Sequence, residues 1–277
     1  MERWAGFARV YAVEVLCPEV PLLTKQDVLS KLRETCGAVA ALDPTGETEG
    51  LSFHFPAHRV AFKDGSLPAQ CTLVASAVPL AAEEAEETYR QTWDWPGARE
   101  AVARHRARVL VGDLMCAALP YPERLDLFQD ALRGVLAAVP ATALRWLPSG
   151  KFVDPAAWLL SRSEGGERDP LLGPINVRLF GLSADTRIMD TLGLAALGMP
   201  DLQCRYRGLD PAEVATGLHN LARHVFAKGD VLYEGASIPG LRKGERWTCR
   251  RRAAFAPPAR AVVDLDPGPA YSTEDLA

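Results

Sequence analysis

The strongest constraint in the chain lies at 183–208, SADTRIMDTLGLAALGMPDLQCRYRG, where small, apolar and acidic residues follow one another in a specific order. Asp190 has a side chain suited to capping a helix, and Thr191 to Leu197 is almost wholly apolar. Gly198 supplies a left-handed stop, and Pro200 prevents a restart. A segment apolar on all sides belongs inside a protein. The pattern therefore predicts a short buried helix over 191–197, plugging the core of the C-terminal half.

A chain of 277 residues is long enough for one large core or two modest ones. At 48% hydrophobic and 24% charged it has the composition of a globular protein. A net charge of -4 argues against a dedicated nucleic-acid binder, which needs a basic surface to neutralise phosphates. The start, MERWAGFARVYAVEVLCPEV, lacks the basic and then continuous apolar blocks of a secretion leader. With no apolar run of membrane-spanning length either, the reading is a cytoplasmic chain without a membrane contact. Cys17, Cys36, Cys71, Cys116, Cys204 and Cys249 stand far apart with no CxxC pair, which reads as single buried thiols. No metal and no cofactor are expected.

Alternation makes 8–16 a strand, and Thr24 caps a helix that Gly37 ends. Strands are predicted near 38–42, 50–55, 58–63 and 70–78, with turns at Pro44-Thr45-Gly46 and Asp64-Gly65. Helices follow at 81–93, 98–105 and 121–139, with strands at 106–115 and 142–147. Charge and glycine mark 161–173 as a linker between an N-terminal domain, 1–160, and a C-terminal unit, 174–277. The second unit opens with the strand INVRLFGL, and LQCRYRG is its next strand. Asp210-Pro211 with Glu213 then starts a helix that runs to Lys228 and Gly229. DVLYEG and ASIPG read as a hairpin, RWTCRRRAAF and RAVVDLD as strands, and 267–277 as a loose tail. The fold class is α+β: a largely antiparallel sheet covered by helices, with a second, smaller sheet-and-helix unit.

Asp185, Arg187 and Asp190 form the most notable polar set, read first as an internal ion-paired scaffold. Were the chain an enzyme, a hydrolase or a nucleotide-handling protein, these three would line a pocket between the halves. His105 and Asp113 would be the other half's contribution. Asp113 alone reads as a turn residue after Gly112, and His105 as a partly exposed cap. His54 and His58 lack the further ligands a metal needs, and His219 and His224 diverge around a helix. The run 242–252 gathers Arg242, Lys243, Arg246, Arg250, Arg251 and Arg252 around Trp247. It suits docking of an acidic partner or, less well, phosphates with base stacking. No local signature of a hydrolase, zinc protease, phosphate loop or dinucleotide site occurs.

Asp190-Thr191-Leu192-Gly193-Leu194, Leu197-Gly198 with Pro200-Asp201, and the helix leading to Gly229-Asp230 resemble a bacterial family catalogued as domain of unknown function 4261. That resemblance supplies no established catalytic residues to carry over. It implies a bacterial protein of contact-dependent competition, in a type VI secretion or polymorphic-toxin setting. The expectation is a non-enzymatic interaction protein, an immunity or accessory factor whose partner is a toxin or a secretion component.

Overall fold

Apolar residues at every second position give the first strand a face committed to a core. A computed structural model describes residues 11–42, 50–62, 65–162 and 169–273. They fall into two compact units, divided in the chain between Gly173 and Pro174. Among the described residues no helix is long and apolar enough to cross a membrane.

The first unit runs β1 (Ala12–Cys17), α1 (Lys25–Cys36), β2 (Ala40–Leu42), β3 (Gly50–Phe62), β4 (Gly65–Ser76), α2 (Ala82–Tyr89), α3 (Ala98–Ala103) and β5 (Ala107–Leu114). It continues with α4 (Tyr121–Leu136), β6 (Ala143–Trp146), β7 (Lys151–Val153) and α5 (Pro155–Ser161). Seven strands form one antiparallel sheet in the order β2-β3-β4-β5-β1-β6-β7. Val13, Val15, Val109 and Val111 are fully buried on one side of its centre. Leu125, Phe128, Leu132 and Val135 form the buried stripe of α4. Gly134 lets α4 meet α1: a Cβ there would lie 2.9 Å from Thr35 Oγ1 and 3.0 Å from the Lys31 carbonyl oxygen. On the other side of the sheet Leu16, Ala143 and Phe152 pack with Leu80, Ala85, Ala98 and Val102.

Three expectations change in this unit. The strands expected at 50–55 and 58–63 are one bulged strand, whose register against β4 slips between Phe55 and Arg59. Pro56, which has no N–H to give a ladder, sits in that slip. β7 and α5 were not anticipated, and residues 169–173 of the expected linker belong to this unit, where Gly173 presses against the Trp146 indole. The expected turn at 44–46, residue 64, residues 8–10 of the first strand and residues 163–168 of the linker lie outside the described residues.

The second unit runs β8 (Asn176–Gly181), β9 (Thr186–Leu192), a short 3-10 turn (Ala195–Leu197), β10 (Asp201–Arg207), α6 (Pro211–Lys228), β11 (Ser237–Pro239), β12 (Arg246–Ala253) and β13 (Ala261–Asp266). Its sheet has the order β11-β12-β13-β10-β9-β8, antiparallel except for the parallel pair β10 and β13. The α+β expectation describes both units. Register gives the sheet two unlike faces. Leu202, Cys204, Tyr206, Val263, Leu265, Trp247 and Cys249 share the face on which α6 lies and are all buried. Gln203, Arg205, Asp264, Asp266, Arg250 and Arg252 share the other.

The helix expected over 191–197 is absent. β9 continues through Thr191 and Leu192, and only Ala195–Leu197 turns, as one 3-10 turn closed by left-handed Gly198. The expected burial is present: Thr191, Leu194 and Leu197 are interior. Gly193 explains why the strand stops. Its φ is +135°, and a Cβ would lie 2.0 Å from the Pro174 carbonyl oxygen. Residues 230–235 form no strand; β11 pairs with β12 instead. The tail is tied as far as Ser272, with Arg207 N–H donating to the Tyr271 carbonyl at 2.9 Å, and 274–277 lie outside the described residues.

Candidate functional site

Asp190 is buried within β9, where a capping role is impossible. Arg178 of β8 holds it with two bonds, Nε to Oδ1 at 2.8 Å and Nη2 to Oδ2 at 2.6 Å. Arg260 donates from Nη2 to the same Oδ2 at 2.7 Å and from Nε to Asp201 Oδ2 at 2.9 Å. Asp201 Oδ1 accepts from Thr191 Oγ1 at 2.9 Å and from the Leu194 N–H at 3.0 Å. Burial pushes the Asp201 carboxyl upward, against the pull of the Arg260 guanidinium and of the Thr191 and Leu194 donors. The remaining arginine donors go to carbonyls of the 256–258 loop and of Thr191. Two acids and two arginines thus satisfy one another inside the protein, an arrangement that fixes backbone and leaves no carboxylate free for a substrate.

The other candidate catalytic residues do not gather. Arg187 is half-buried and faces Tyr206 across the β9–β10 pair, away from the Asp190 carboxylate. Asp185 is exposed in the turn before β9 and accepts from Ser183 Oγ at 2.9 Å. In the first unit Asp113 is a buried strand residue, which corrects the turn assignment. It receives Arg124 Nε at 2.5 Å, Arg124 Nη2 at 2.9 Å and the Tyr11 N–H at 2.6 Å. His105 is likewise buried and not a partly exposed cap; Nε2 accepts the Leu80 N–H at 2.8 Å, and Nδ1 meets the Val102 carbonyl. At about 3.3 Å per strand residue, the run of β5 keeps His105 and Asp113 on the order of 25 Å apart.

The histidines and cysteines assemble nothing. His58 Nδ1 pairs with Glu123 Oε1 at 2.8 Å, while His54 faces Gln70 across the β3–β4 ladder. Among the described residues no three His, Cys, Asp or Glu side chains stand close enough to hold a metal ion. Burial pushes the thiols of Cys17 and Cys116 up to about 11, away from the reactive thiolate.

The basic run divides in two. Arg250 pairs with Asp266 at 3.1 Å, Arg251 with Asp230 at 2.5 Å, and Arg252 with Asp264 at 3.6 Å. Trp247 is 4% exposed, so it presents no face for stacking a base. It forms instead the wall of an apolar cleft of about 440 Å³ between α6 and the β11–β12 hairpin. Leu221, Leu232, Ile238, Leu241 and Leu265 line the same cleft, with Asn220 and His224 at its exposed edge. Gly217 permits the closure: a Cβ there would meet Leu241 Cδ2 at 2.9 Å. At the hairpin tip Arg242 stacks on and bonds to Tyr271, and Arg246 bonds to Ser237. Among the described residues neither guanidinium pairs with a carboxylate, the nearby Glu245 accepting the Arg242 backbone N–H at 3.0 Å instead. Lys243 is exposed between them.

These residues carry a family signature. Residues 190–266 match the family model of a domain of unknown function (DUF4261). No curated protein and no solved structure matches the chain. The DUF4261 segment contains Asp190, Thr191, Asp201 and Arg260 of the buried network and every residue of the apolar cleft. Arg178 completes the network from outside the matched segment. Sequence reasoning missed Arg178 and Arg260. The available signal was Arg178 itself, a charge at an inward position of an alternating strand, NVRLFG, which calls for a buried carboxylate.

Proposed function

We propose that the chain is a non-enzymatic protein-interaction module that docks a partner segment in the cleft between α6 and the β11–β12 hairpin. The observation that carries the reading is the pairing of an apolar cleft with a basic rim. The cleft accepts an apolar side chain, and Arg242, Lys243 and Arg246 beside it suit acidic residues on the same segment. The candidate catalytic carboxylates support it from the other side. Asp113 and Asp190 are held by arginines, and Asp185 stands exposed in a turn, bonded to Ser183. In the setting that the family resemblance implies, the partner is a toxin or a secretion component. The module then acts in the cytoplasm as an immunity or accessory factor.

The test is capture of the partner from the native cell, followed by binding of the purified pair. Asn220→Trp, on the exposed edge of the cleft, and Arg242→Glu with Lys243→Glu are the variants. Each is expected to weaken the complex about ten-fold or more while leaving thermal unfolding unchanged. Partner binding that survives both variants unaltered places the interface elsewhere and sinks this reading.

A further inference from the structure

The face of the second sheet turned away from α6 carries its own cleft, of about 680 Å³. Gln203, Arg205, Arg252, Phe255, Asp264 and Asp266 line it. We infer that this cleft is a binding site for a small oxyanion carried on a flat ring.

Charge accounting singles out the anion's position. Asp264 accepts from Gln203 Nε2 at 3.0 Å and pairs with Arg252, and Asp266 accepts the Gly268 N–H at 2.9 Å and pairs with Arg250. Of the two arginines lining the cleft, Arg252 therefore has its carboxylate. Arg205 has none among the described residues; its guanidinium lies against the Phe255 ring, 5.0 Å from the centroid. Among the described residues its N–H groups make no hydrogen bond, and these are the groups that grip a carboxylate or phosphate with two bonds.

Phe255 supplies the second half of the site. Its ring is backed on one side by Arg205, yet the residue is 52% exposed, so aromatic surface remains open. The shelf is held in place: the Phe255 N–H donates to Gln203 Oε1 at 2.8 Å, and Arg178 Nη1 donates to the Pro257 carbonyl at 2.8 Å. A flat ring stacked there puts an attached oxyanion within reach of Arg205. Asp264 and Asp266 already hold Arg252 and Arg250, which leaves Arg205 alone to meet an anion and favours one oxyanion over a polyphosphate.

Isothermal titration of the full chain with AMP, benzoate, adenosine, inorganic phosphate and ATP tests the site. AMP or benzoate is expected to bind, and whichever does so identifies the oxyanion as phosphate or carboxylate. Adenosine, phosphate and ATP are expected to bind about ten-fold more weakly or not at all. Arg205→Gln should lower the affinity about ten-fold and Phe255→Ala several-fold, both with unfolding temperatures close to the parent's. No binding of AMP or benzoate at millimolar concentration overturns the inference, as does binding that both variants leave intact. Because this cleft and the α6 cleft lie on opposite faces, either proposal can fail while the other stands.

Discussion

Arg260 reaches back 59 residues to Asp201, placing Nε 2.9 Å from Oδ2 where the carboxylate is fully buried and the guanidinium nearly so. The bond holds the loop before β13 against the start of β10, and a second donor of the same guanidinium extends the hold to Asp190 in β9.

Removing one partner of such a pair strands the other charge in a low-dielectric interior. Asp201→Ala is expected to lower the unfolding free energy by about 3–5 kcal/mol in urea titrations. Adding Arg260→Ala should recover part of that loss, because the stranded cation is then gone. Strictly additive losses would show that the two residues do not act as a pair.

Gly193 and Gly229 both have positive φ, at +135° and +83°, but their surroundings differ. At Gly229 nothing lies within 4 Å of an added Cβ, so Gly229→Ala should cost about 1 kcal/mol for the backbone alone. At Gly193 the added atom meets a backbone oxygen that cannot swing away. Gly193→Ala is expected to cost at least about 3 kcal/mol or to abolish cooperative unfolding. Equal unfolding temperatures for the two variants would refute the close approach of β9 to Pro174.

Alkaline pH should weaken the protein through its thiols. Burial pushes Cys17, Cys36 and Cys116 up to about 11 and raises Cys249, whereas a thiol in the unfolded chain titrates near about 8.5. A folded-state value above the unfolded one means that this contribution is complete below about pH 8.5 and is lost as pH rises towards the folded values. The urea midpoint should therefore fall between pH 8 and pH 10.5 in reducing buffer, and less so when Cys17 and Cys116 are replaced by Ala. A midpoint that does not move across this range would count against burial of these thiols.

What the sequence disclosed depended on how local the cause was. Thr24 and Asp210-Pro211 start α1 and α6, and Gly37 and Gly229 end them, so both helices were readable from adjacent residues. Asp154-Pro155 is the same signal at the start of α5. The apolar run after Asp190 was misread because its conformation is set at a distance. Arg178 lies 12 residues away and Arg260 lies 70, and together they draw Asp190 into a strand. Asp113 failed for the same reason: Arg124 comes from the next helix and makes the carboxylate interior. The cleft of Arg205 and Phe255 joins three strands, β10, β12 and β13, and the loop after β12, so no window of sequence contains it.

The sheet of the second unit closes in an unusual order. β13, its last strand in the chain, sits between β12 and β10, so β8, β9 and β10 wait with an open edge until residues 261–266 arrive. On the ribosome this is a half-built sheet, exposing the backbone groups that recruit foreign strands. Nascent chains stalled before Ala261 should therefore be the stage of synthesis most dependent on chaperones.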